Sequence, residues 1–426
     1  MATRGTRVAS PLWSLSWVLA ALLATTWPAV AATQPNSVPS PPLAAVAMSE
    51  PSPILFTRFG SAAAFSNGTL AGTRTLDESL TLEDGAASGT WVSPSVDPGF
   101  SFGQLVASWN ADTPAGSWIK VEAQANTETG HVTRWYTMGI WAGGDGSVQR
   151  TSVNGQADAD ATVETDTLRA RGSPLVGYQL RVTLERPTAD QPAPTLSMLG
   201  AVVAPASSLT GEPLSEANSE AIELPVPAYS QEVHSGRYRQ WGGGGEVWCS
   251  PTSTEMVVEY WGRGPSADEL VWVDPRFSDP SVIFAARATY DPAYRGTGNW
   301  PFNTAYAARY GLEAFVTQLR SLGEAEQFVR AGIPLVGSIK AGPGELDGFL
   351  FEGGTNGHLL VLVGFDQAGN PIVNDPAAWS NATVRRVYDR AQFERAWLRG
   401  SGGIVYVIHP PEVPLPPNRP DATPNW

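Results

Sequence analysis

One cysteine, Cys249, occurs in the 426 residues, and it lies in Glu246-Val247-Trp248-Cys249-Ser250-Pro251-Thr252-Ser253 directly after the four glycines 242–245. Behind it Met256, Val257, Tyr260 and Trp261 recur with the spacing of one helical face, and Gly262 and Gly264 end the pattern. Pro251 suits a first helical turn, where a missing N–H leaves no bond unmade. A thiol at that place faces the positive end of the helix dipole, which favours the reactive thiolate. A lone cysteine is more often a small buried hydrophobe. Here the glycine run, the helix start and two partners downstream argue for a nucleophile.

A thiolate that attacks an acyl carbon needs a base to hold its proton and return it to the leaving group, and donors for the oxyanion. His358 follows Gly353-Gly354-Thr355-Asn356-Gly357, a loop without bulky side chains, and opens the apolar run Leu359-Leu360-Val361-Leu362-Val363, which reads as a strand. Asp375 lies in Asn374-Asp375-Pro376, beyond a turn at residues 366–370. That hairpin brings its two ends together, so Asp375 can accept from one imidazole nitrogen while the other faces Cys249. Asn374 is a substitute orienter. Taken singly, a histidine is more often structural and an Asp-Pro more often a turn; the joint order carries the reading.

Zinc ligation by Cys249, His358 and Asp375 would suit the ligand types, but no local pair has the usual spacing. Dinucleotide, phosphate and calcium loops are missing from the sequence, so no metal and no cofactor is expected. Trp248, Trp300 and Asn356 are weaker candidates, as flanks of a substrate groove.

Cys249-Ser250-Pro251 with its helix, Gly357-His358 with its strand, and Asn374-Asp375-Pro376 together resemble the papain-like cysteine peptidases. The nearest group resembles the exported relatives of the bacterial peptidases that trim double-glycine leader peptides, over residues 223–409. This implies Cys249 as nucleophile, His358 as general base and acid, and Asp375 as orienter. It also implies a glutamine ahead of the cysteine as oxyanion donor. Val226-Pro227-Ala228-Tyr229-Ser230-Gln231 resembles the family's segment at that place, which assigns the role to Gln231, with Gln240 as rival. The chain departs from the family at Ser250, where glycine is common, and in the glycine run, which lengthens the approach from Gln231. Transporter segments do not accompany the motifs, so leader cleavage during export is not implied. The function implied is a thiol hydrolase, a cysteine peptidase with a peptide or protein substrate and an acyl-enzyme intermediate. A cell-wall amidase or a transamidating acyltransferase would use the same three residues. A glycan- or surface-binding protein with an inactive papain-like domain is the remaining alternative.

The elements that must position these residues alternate helices and strands over residues 223–409. Helices are expected at 302–310, after the capping-box pattern that begins at Ser321, and at 391–398; strands at 312–317, 334–339, 358–365, 371–374, 383–387 and 404–408. This is α+β, a cysteine-bearing helix against a mostly antiparallel sheet. Residues 54–204 instead show short strands between turn clusters, at 90–92, 102–109, 118–123, 133–138, 161–168 and 178–184, with no long amphipathic helix. They read as an all-β sandwich and a binding module. Trp91, Trp109, Trp118, Trp135 and Trp141 fit its core better than a ligand platform. His131 and His409 are expected at the surface and His234 in a loop.

Residues 1–32 carry Arg4 and Arg7, an apolar stretch and Ala29-Val30-Ala31, the pattern of a cleaved signal peptide. Residues 33–53 form a Pro/Ser-rich linker, 205–222 an acidic linker and 410–426 a Pro-rich tail, expected to be extended. A secreted protein with one cysteine has no intrachain disulfide, which sharpens the case for a reactive thiol. Net charge is −14 with no basic run, which argues against nucleic acid. No later segment is long and apolar enough to span a bilayer, so no membrane association is expected after signal removal. A cell-surface glycan held by the sandwich is the second expected partner.

Overall fold

Alternation builds the first half. From Tyr178 to the end of the strand Leu175–Glu185 every second side chain is buried, and this strand pairs antiparallel with Trp118–Thr127, setting Val182 opposite Val121 and Leu184 opposite Ile119. They are the centre of a five-stranded sheet completed by Thr69–Ala71, Ser88–Val92 and Tyr136–Trp141. A second sheet of seven strands is built on Thr195–Ala204, which pairs with Leu55–Phe59, Ser79–Leu82 and Gln104–Asp112. Apolar side chains of both sheets form one core, in which Trp91, Trp109 and Trp141 are fully buried. Trp118 and Trp135 are only partly covered. The computed structural model from which this fold is read describes residues 52–146, 148–206, 214–218 and 220–426. The expected signal peptide, nearly all of the expected first linker and part of residues 205–222 lie outside the described residues.

The segment expected as one strand at 161–168 is a hairpin, Ala161–Glu164 and Thr167–Ala170, turned at Thr165 with φ 59°. A threonine in the left-handed region gives no turn signal in sequence. Gln104–Asp112 is buried on both faces because its outer face meets the second half of the chain. Asn110 donates to the Ala314 carbonyl at 2.6 Å and accepts the Ala314 N–H at 3.1 Å, and the Val316 N–H donates to Ser108 Oγ at 3.3 Å.

In the second half, seven strands, all antiparallel, are led by the order Glu313–Gln318, Ile404–His409, Leu335–Ala341, Thr355–Phe365, Pro371–Asn374, Arg385–Val387, with Ile222–Glu223 beside Thr355–Phe365. The helix Cys249–Tyr260 packs on this sheet: Ser253 Oγ donates to the Leu359 carbonyl at 3.2 Å, and the Ser250 and Tyr406 hydroxyls meet at 2.9 Å. Helices Pro280–Thr289 and Trp300–Ala308 cover its other side, so residues 250–258 are buried all round. The single apolar face read from the sequence is therefore a subset. Thr252, Ser253 and Thr254, polar by type, are small enough to be enclosed between neighbours.

Residues 410–426 contain no helix or strand, yet they are anchored. Arg320, 4% exposed, donates to Asn425 Oδ1 at 2.7 Å, to the Thr423 carbonyl at 2.6 Å and to the Ile54 carbonyl at 3.1 Å. One buried guanidinium thus holds the tail against the start of the first strand. Glu324 on the next helix shares it at 3.0 Å.

Candidate active site

Cys249 is the first residue of its helix, half-buried and not in a disulfide. His358 stands on Thr355–Phe365, opposite Ile339 of the neighbouring strand, and is 1% exposed. Its Nε2 lies 2.7 Å from Asp375 Oδ1. The same Asp375 oxygen takes the Ala377 N–H at 3.0 Å, while Oδ2 accepts the Tyr388 hydroxyl at 3.0 Å. With Nε2–H donated to the carboxylate, Nδ1 is the nitrogen left for the sulfur.

Burial alone would lower the His358 pKa. The Asp375 carboxylate, through its charge and its hydrogen bond, and a hydrogen bond with Cys249 overcome burial and raise it to about 10. Asp375 is pushed up by burial and, more strongly, down by the His358 charge and its hydrogen bonds, for a net lowering. The pair therefore favours imidazolium beside carboxylate. Phe351 sits edge-on to the imidazole at 5.0 Å between ring centroids and Phe349 at 6.1 Å, which keeps water from this side of the pair.

Gln231 is buried at the wall of the same groove, whereas Gln240 is exposed and does not line it. Its backbone N–H donates to the Pro376 carbonyl at 2.9 Å, and its Nε2 donates to the Glu246 carbonyl at 2.9 Å. Asn374 turns its amide to the carbonyls of Val226 and Pro227, at 3.3 and 3.1 Å, and so fixes the segment leading to Gln231. Its amide thus bonds main chain, and the carboxylate of Asp375 is what meets the imidazole. The end of the glycine run packs directly on the turn that carries Gln231. A Cβ on Gly245 would fall 2.4 Å from the His234 carbonyl carbon and 2.5 Å from the Gln231 carbonyl oxygen, so only glycine lets the two turns touch.

The groove beside Cys249 and His358 encloses about 850 Å³. Trp300 and Asn356 line it; Trp248 does not. The Trp248 indole is fully buried, donating to the Trp241 carbonyl at 2.7 Å within a cluster that includes Val282 and Ile283, so its place beside the thiol in sequence is not its place in space. His234 also departs from the loop expectation: it closes the turn Gln231–His234, fully buried, with neither ring nitrogen bonded. Burial lowers its pKa to about 4. His409, expected at the surface, is 3% exposed on the last strand, its Nδ1 at 2.9 Å from the carbonyls of Pro410 and Val413. The hydrogen-bonding tail covers it, and that tail was not visible as structure in the sequence. His131 is exposed, 3.2 Å from Asp160.

The sequence gives no sign of Tyr388, Phe349 or Phe351, since each is an aromatic residue without a local motif. It also misses the contribution of the sandwich. The hairpin turned at Thr165 brings Asp166 to the groove, where it accepts the Trp300 N–H at 2.8 Å and the Thr167 hydroxyl at 3.1 Å. Burial pushes this carboxyl up to about 6 against those bonds.

Residues 223–404 match the model of the peptidase C39-like family, and residues 55–204 match that of the peptidase C39 N-terminal domain. The class is thus that of the papain-like cysteine peptidases. Within it, residues 223–404, the cysteine-bearing half, belong to the C39-like family, and the N-terminal domain model matches the sandwich. A crystal structure of a C39-like peptidase from Bacillus anthracis is 21% identical, aligning over 44% of this chain and 97% of its own with a TM-score of 0.28. The C-terminal family 22 carbohydrate-binding module of Clostridium thermocellum Xyn10B is 16% identical over 36% of this chain and 87% of its own, with a TM-score of 0.17. No curated protein matches the chain.

Proposed function

We propose that the protein is a cysteine peptidase that works through Cys249, His358 and Asp375. The observation that carries this reading is the buried His358–Asp375 pair at 2.7 Å beside the groove that Cys249 also lines. Cys249 gives its proton to His358, and the thiolate attacks the scissile carbonyl carbon. The resulting oxyanion is met by the backbone N–H at the helix start and by the Gln231 amide, which exchanges a contact with Glu232 or Glu246 for the substrate oxygen. The imidazolium then protonates the leaving amine as the C–N bond breaks, leaving a thioester on Cys249. Water, deprotonated by His358, attacks the thioester; the acid product leaves and the thiol is restored. Asp375 holds the ring in one tautomer throughout, and Tyr388 and Ala377 hold Asp375.

The start of the sequence supports export, so peptides outside the cell are the proposed substrates. The test is turnover of a mixed peptide library by the purified protein and by Cys249→Ala. Cleavage that survives in the variant overturns the reading, provided the variant keeps the native circular dichroism spectrum.

A further inference from the structure

The chain is acidic, with 41 Asp and Glu against 27 Lys and Arg, but cations gather along the groove beside Cys249. Arg169 is neutralised there by Glu164 at 2.8 Å and bonded to Gln104 at 3.1 Å. Arg295, Lys340 and Arg399 are exposed and form no ion pair among the described residues.

The main chain bearing two of these cations is held together at the groove. Lys340 follows Ile339, whose partner across the ladder is His358 itself. Arg399 sits in the last turn of the helix Arg390–Ser401, and that turn lies on the strand of Lys340. A Cβ on Gly400 would fall 2.5 Å from the Lys340 nitrogen, and Ser401 Oγ donates to the Ser338 carbonyl at 2.6 Å. The acids of the groove are otherwise disposed. Asp166 is buried and spends its oxygens on Trp300 and Thr167, while Glu246 is exposed in the glycine-run segment and accepts the Gly236 N–H at 2.7 Å.

We propose that the groove selects acidic peptides, with Lys340 and Arg399 receiving a substrate carboxylate beside the scissile bond. The proposal rests on the peptidase reading of the same site. Arginine offers a planar fork for a carboxylate and lysine a mobile point charge, and a groove with low-dielectric walls concentrates their field. Because both side chains are exposed, the selectivity weakens as salt is added.

Alkylation of Cys249 tests the charge without requiring any peptide to be cut. Iodoacetate is anionic and iodoacetamide neutral, and the ratio of their rates reads the potential at the thiol. Replacing both cations, Lys340→Glu with Arg399→Glu, should lower that ratio about three- to ten-fold at low salt, with the difference shrinking at about 0.5 M salt. A smaller fall is expected of Lys340→Gln with Arg399→Gln, which serves if charge reversal harms folding. An unchanged ratio in both pairs overturns the proposal. In the second arm, two peptides that differ only in Glu against Gln beside the cleaved bond are compared by kcat/KM. The native protein should prefer the Glu peptide, and the Gln pair should lose that preference; a preference for Gln, or one that survives the substitutions, overturns the proposal. If neither peptide is cut while the alkylation ratio falls as expected, the peptidase reading fails and the anion-selective groove stands.

Discussion

The side-chain amide of Gln231 donates to the main-chain carbonyl of Glu246 at 2.9 Å, three residues ahead of the thiol. The bond spans the point where Gly245 lets two turns touch, and the Gln231 backbone is held from its other side by the Pro376 carbonyl. The proposed oxyanion donor, the segment that leads to Cys249 and the Asp375 loop are thereby one assembly.

Gln231→Ala should lower kcat about 10²- to 10³-fold while changing KM little, as expected for a donor that acts chiefly in the transition state. Iodoacetamide should still alkylate Cys249 at close to the native rate. A loss of alkylation equal to the loss of turnover would mean that Gln231 supports the fold of the site and not the oxyanion.

The His358 proton should set the alkaline limit of activity. Its folded pKa, about 10, lies above the ordinary 6.5, so the charged pair contributes stability fully below pH 6.5 and loses it as pH rises toward 10. The alkaline limb of kcat/KM should accordingly have an apparent pKa near 10. Asp375→Asn removes the carboxylate that holds the proton, and should move this limb downward and depress kcat. A limb that stays in place in this variant would show that Asp375 does not govern the imidazole.

His234 works in the opposite sense. Buried without a partner, its folded pKa of about 4 lies below 6.5, so it contributes stability above pH 6.5 that is lost as pH falls toward 4. The loss is on the order of 3 kcal/mol. His234→Phe, which keeps a ring beside Trp248 and Phe277, should reduce the drop in Tm between pH 7 and pH 4.5. Thermal scans of both proteins at the two pH values check it.

What was legible in the sequence follows what local pattern can encode. Cys249, His358 and Asp375 stand at element ends marked by glycine, by an apolar run and by Asp-Pro, and the structure sets His358 and Asp375 in contact. Trp248, beside the thiol in sequence, points away from the groove because a helix start sends neighbouring side chains in different directions. Thr165 turns a hairpin from a left-handed position that threonine rarely takes, and Ser52, Ile54 and Thr423 meet at Arg320 across almost the whole chain. Contacts of that separation leave no periodic trace. The acidic stretch 205–222 reads as a boundary, while residues 49–426 form one compact unit.

Arg320→Ala should therefore act on the whole chain. It removes the guanidinium from Glu324 Oε1 and from the Thr423 carbonyl, and breaking a buried pair of this kind costs about 3–5 kcal/mol. Chemical denaturation should show a single transition at a lower midpoint. Two transitions, with only one of them shifted, would mean that the halves unfold separately.

Asn110 and Ser108 meet Ala314 and Val316 along a seam that also bears on inheritance. A gene fragment encoding only residues 223–426 would leave Phe315, now stacked on Phe56 at 4.6 Å, open to solvent beside unbonded main-chain groups. A sandwich joined to residues 223–426 as an interchangeable module would have to bury the same face, Phe315 included. The two halves would have had to change together, each constraining which substitutions the other tolerated at the shared face.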